Sequence, residues 1–135
     1  MKRIKALLKK LRSLAKKTKL DICFGDECHF QQHGSRCKMW VSPEDKDPVV
    51  KHAPTRKSIS LFGAVYATTG KMVSMVTTIF NAETFLSFLK KLLRSKTRGR
   101  KLLVVLDNAK YHHAVMLKPW LETNKAKIEL LFLPP

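Results

Sequence analysis

The feature that most constrains this chain is an unbroken apolar run, Leu102-Leu103-Val104-Val105-Leu106, closed by Asp107. A strand with one wet face alternates apolar and polar residues. A continuous run of this length belongs to a strand covered on both faces. An acid at the carboxyl end of such a strand lies where open α/β sheets gather their ligands.

The segments around it supply the rest of a sheet. Leu20 to Phe30 is rich in β-formers and reads as a strand, with a turn over residues 31–35 and a second strand over Arg36 to Val41. Ser42 to Lys57 carries three prolines and many charges and reads as a loop. Ser58 to Ala67 and Met72 to Phe80 form a hairpin about Thr68-Thr69-Gly70-Lys71. Asn81 is a good N-cap for a helix whose stripe is Phe85, Leu86, Leu89, Leu92 and Leu93, stopped by Gly99. A short helix over Val115 to Asn124, with Pro119 in its first turns, leads to a last strand over Ile128 to Leu133. Hairpin strands followed by alternating helix and strand indicate a mixed α/β sheet.

Charge points to partners. The chain has 27 Lys plus Arg against 10 Asp plus Glu, a net +17. Such an excess suits a polyanion, either nucleic acid or an anionic membrane surface. No apolar run approaches the roughly 20 residues of a membrane span. Nine cations fall in the first twenty residues, where Ile4, Leu7, Leu8, Leu11, Leu14 and Ala15 make one helical stripe. Residues 1–19 thus form a basic amphipathic helix ahead of a domain over 20–135. Three roles are open to it: packing its stripe on the domain, gripping a DNA backbone through Lys2, Arg3, Lys5, Lys9, Lys10, Arg12, Lys16 and Lys17, or lying on a membrane. Lysines interrupt its apolar residues too often for a signal peptide. Three cysteines cannot all pair within one chain, which favours a reducing cytosol.

Asp26 and Asp107 are the acids at informative places. Asp26 shares a strand face with Phe24 and Cys28, while Glu27 points the other way. Two carboxylates on adjacent strands repel unless a divalent metal lies between them, and Mg²⁺ suits such oxygen ligands. The alternatives are a solvent-facing strand-end acid for Asp26 and a turn residue for Asp107. Cys23, Cys28, His29, His33 and Cys37 crowd together, but their spacing is poor for zinc. Trp40 and Trp120 read as core.

Phe24-Gly25-Asp26-Glu27 resembles the first catalytic strand of DDE transposases, and LVVLDNAKYHH, Leu103 to His113, resembles their second motif. ELLFLPP, Glu129 to Pro135, is similar to the strand leading to their third. The nearest likeness is to bacterial insertion-sequence transposases of the mariner-like superfamily. The resemblance implies a ribonuclease H-like mixed sheet with flanking helices. It implies Asp26 and Asp107 as catalytic metal ligands in a two-metal site for Mg²⁺ or Mn²⁺, with Glu27, Asn108 and His112 as candidate neighbours. It also implies transposon-end and target DNA as partners, homodimerisation of the full-length enzyme, and a cytoplasmic, nucleoid-associated location in a bacterium. The family's third acid follows Leu-Pro-Pro and is absent here. The expectation is therefore a catalytic domain incomplete at its C-terminus, a fragment inactive on its own. The competing expectation is a non-catalytic DNA-binding remnant held by charge.

Overall fold

The computed structural model describes residues 19–31 and 57–133, with residues 9, 11, 13 and 42–44. Five strands, β1 (Leu20–Gln31), β2 (Ser58–Tyr66), β3 (Met72–Thr77), β4 (Lys101–Leu106) and β5 (Ile128–Phe132), make one sheet ordered β3-β2-β1-β4-β5. β2 runs antiparallel to both β1 and β3, whereas β4 runs parallel to β1 and β5. Parallel neighbours need a crossover. Helix α1 (Ala82–Ser95) lies between β3 and β4, and helix α2 (Lys118–Asn124) between β4 and β5.

The apolar run behaves as its sequence requires. Leu102, Val104 and Leu106 face a core built with Phe62, Ala64, Phe85, Phe88, Leu89 and Leu92. Leu103 and Val105 face the other way and pack with Ile22 and Leu11. The α1 residues Phe85, Phe88, Leu89 and Leu92 recur at helical spacing, and each fully buried side chain of this size contributes roughly 1.5–3 kcal/mol. Leu11 brings the basic segment into the fold. Lys9, Leu11 and Ser13 are helical, Lys9 and Ser13 are exposed, and Leu11 is buried. At Leu11, then, the stripe packs on the domain. Of the cations assigned to DNA, Lys2, Arg3, Lys5, Lys10, Arg12, Lys16 and Lys17 lie outside the described residues. So do the strand expected over Arg36 to Val41, and His33, Cys37 and Trp40. Trp120 is partly buried against the first core, as expected.

Three boundaries differ from the sequence reading by more than one residue. β3 ends at Thr77, three residues before Phe80, because the Thr77 hydroxyl donates to the Ile79 carbonyl and turns the chain. Asn81 caps α1 as expected: its side chain accepts from the Thr84 amide at 2.8 Å, and the Thr84 hydroxyl accepts from the Asn81 amide. Gly99, however, does not stop the helix. α1 ends at Ser95, and the Thr97 amide donates to the Asp21 carboxylate instead of a helical carbonyl. Gly99 serves the following turn, with φ 77°. The helix expected over Val115 to Asn124 is split into a 3₁₀ turn, Val115–Leu117, and α2. Pro119 has no N–H to give a carbonyl one turn back, so it sits in the first turn of α2.

Candidate active site

The two acids lie at one end of the sheet. The β1–β4 ladder pairs Phe24 with Val105, two residues before each acid, so Asp26 and Asp107 follow the same level of adjacent parallel strands. The Leu106 side chain fills the space beside Gly25, which accounts for the glycine next to Asp26. A Cβ on Gly25 would meet Leu106 Cδ2 at 2.7 Å. Asp26 is exposed, and its Oδ1 accepts from the Glu27 amide at 2.9 Å. Asp107 has left β4 and its side chain is 60% exposed. Its Oδ1 accepts from the Ala109 amide at 3.1 Å, so the turn-residue reading of Asp107 is part of the picture. Asn108 donates from Nδ2 to the Leu133 carbonyl and ties this turn to the chain leaving β5.

Strand alternation separates Glu27 from Asp26, as expected. Glu27 pairs across the ladder with Phe62 and turns to the α1 side. There it meets two residues of a 3₁₀ turn, Lys110–His113. The Tyr111 hydroxyl donates to Glu27 Oε1, and His112 Nε2 lies 2.8 Å from the same oxygen. The other ring nitrogen, Nδ1, lies 3.2 Å from Asp107 Oδ1 and 3.3 Å from the Asp107 carbonyl. His112 is buried, with the rings of Phe85 and Tyr111 centred 4.3 and 4.5 Å away. Burial works to raise the Glu27 carboxyl, but the bonds to His112 and Tyr111 outweigh it and hold it below its ordinary value. The Tyr111 phenol is pushed far up, by burial first, then by its bond to Glu27 and the charges of Glu27, Asp107 and Asp26. Tyr111 therefore stays a donor and feels all three acids. The sequence reading missed it. The available signal was its place beside His112 in a motif that follows a buried strand.

The cysteine–histidine cluster does not converge among the described residues. Cys23 is buried, and burial with the Asp21 charge pushes its thiol up to about 12. Cys28 is exposed on the other face of β1, and His29 Nδ1 is 3.0 Å from Ser60 Oγ. Among the described residues, no lysine or arginine forms an ion pair with Asp26 or Asp107. Exposed carboxylate oxygens left without a lysine or arginine partner fit a hard divalent metal such as Mg²⁺ or Mn²⁺.

The sequence model of the family described as DDE superfamily endonuclease matches residues 21–135. The chain belongs to the DDE superfamily of endonucleases. Among solved structures, a pre-cleavage Mos1 transpososome aligns with TM-score 0.56 and 22% identity, covering 94% of this chain and 40% of that one. The Mos1 mariner paired-end complex with Mn aligns with TM-score 0.55 and 20% identity, covering 94% and 39%. The HTLV-2 integrase catalytic core domain in complex with magnesium, in its dimeric form, gives 0.54 and 12%, covering 83% and 59%. The chain thus spans less than two thirds of each of these proteins. No curated protein matches significantly. The DDE chain has the ribonuclease H-like fold expected of it: a mixed five-stranded sheet with flanking helices. Among the described residues, no helix is long and apolar enough to cross a membrane.

Proposed function

We propose that this DDE chain is the catalytic part of an insertion-sequence transposase, and that Asp26 and Asp107 hold the divalent metal used in cutting and joining DNA. The observation that carries this reading is the register of β1 and β4, which sends two exposed acids from the same end of adjacent parallel strands. Mg²⁺ or Mn²⁺, when bound, supplies Lewis acidity for phosphodiester chemistry. The residues of the chain do the rest. Asp26 and Asp107 offer oxygen ligands, and Asn108 anchors the chain beyond β5 beside them. The basic segment over 1–19 holds the DNA backbone without reading its sequence. Transposon ends and target DNA are the substrates, the working assembly is a homodimer, and the site of action is the bacterial nucleoid.

The test is nicking of supercoiled DNA with Mn²⁺, run beside a version of the chain extended through a third acid. Nicking by the extended form, abolished by Asp26→Ala or Asp107→Ala, supports the reading. DNA binding that stays strong while neither form nicks favours the charge-driven remnant suggested by the net +17.

A further inference from the structure

The second acid has something the first lacks: a buried support. Asp26 rests on its own neighbour's amide, but Asp107 is tied through His112 to Glu27, a residue on a different strand and the opposite sheet face. The three side chains offer ligand atoms within 4.8 Å of one another, a spacing that could suggest a metal centre. Their partners argue otherwise. Glu27 Oε1 already accepts from Tyr111 and faces His112, and both nitrogens of the buried His112 ring face oxygens. Glu27 Oε1 and both ring nitrogens are thus engaged, and the Glu27 side chain is only 14% exposed against 60% for Asp107. By contrast, Asp107 uses Oδ1 for the Ala109 amide and His112, and Oδ2 has no partner among the described residues.

We infer that Glu27, His112 and Tyr111 are positioning residues, a buried relay that fixes the rotamer of Asp107 and so keeps its Oδ2 free to hold a divalent metal. The inference rests on Asp107 being a ligand. Groups that orient a ligand carry much of a metal site's affinity, and their loss weakens binding by roughly 10–100-fold. Tyr111 sits at the far end of the relay and acts by holding Glu27 against the ring.

The experiment is a Mn²⁺ titration of the folded chain, read by the electron paramagnetic resonance of free Mn²⁺, with circular dichroism confirming the fold of each variant. Asp107→Asn should abolish binding. His112→Phe, which keeps a ring against Phe85 but removes both nitrogens, and Glu27→Ala should each weaken it by roughly 10–100-fold. Glu27→Gln, which keeps an acceptor oxygen, should recover most of the loss. A purely structural role would lower the melting temperature and leave the Mn²⁺ affinity of the folded protein unchanged. That result, with Asp107→Asn still defective, overturns the relay alone. Undiminished binding by Asp107→Asn, or none by the wild type, overturns the ligand assignment beneath it. If His112→Phe and Glu27→Ala do not fold, Tyr111→Phe decides: weaker Mn²⁺ binding sustains the relay, and wild-type affinity overturns it.

Discussion

Two aspartates five residues apart on β1 have opposite fates. Asp21 is buried, and its carboxylate accepts from Arg100 Nε and the Thr97 amide, each at 2.7 Å. Arg100 also donates to the Leu20 carbonyl, so one end of the sheet is closed by a satisfied ion pair. Asp26, at the other end, is exposed and meets only a backbone amide. A neutralised carboxylate joins strand to turn. One left without a cation is available to bind one. What separates the two is the cation the fold supplies to one and withholds from the other.

The largest expected effect comes from breaking the closed end. Asp21→Ala leaves Arg100 without its partner, and removing one member of a buried pair costs roughly 3–5 kcal/mol. Arg100 keeps 32% of its side-chain exposure and can turn to water, so the expected loss is about 3 kcal/mol by urea denaturation. Gly25→Ala comes next. Its Cβ would press on the buried Leu106, and overpacking of this kind costs roughly 1–3 kcal/mol. Because Leu106 directly precedes Asp107, the same variant should also weaken Mn²⁺ binding.

The fold was legible because its signals are local and repeated. An apolar run of five, a capping asparagine and a Gly-bearing hairpin turn each specify their own element. Asp26 and Asp107 were legible for the same reason, since each closes or interrupts a strand pattern. The relay was not. Strand alternation correctly sent Glu27 away from Asp26, but it could not reveal that a 3₁₀ turn 84 residues later brings Tyr111 back to meet it. The Asp21–Arg100 pair was hidden likewise, because 79 residues separate its members. Contacts set by tertiary packing leave no periodicity to read.

A smaller effect concerns acid. Burial raises the Asp21 carboxyl, but the Thr97 and Arg100 bonds prevail and hold it below its ordinary 3.8. A depressed value means the interaction contributes fully above that pH and is lost as pH falls through the lower folded value. The wild type should therefore lose stability below about pH 4 more steeply than Asp21→Asn, as followed by denaturation across pH 2–6. The smallest effect belongs to the open end. Asp26→Asn should change stability by no more than about 0.5 kcal/mol, because an exposed side chain with one amide contact contributes little to folding.

The contrast between the two ends is tested most directly by adding Mn²⁺ to the ¹⁵N-labelled chain and following paramagnetic broadening of its amide signals. The expected result is broadening centred on Asp26 and Asp107, with Asp21, Thr97 and Arg100 staying sharp, and its disappearance in Asp26→Asn and Asp107→Asn. Broadening centred on the Asp21 end, or unchanged in both variants, would contradict the assignment of the open end of the sheet as the metal site.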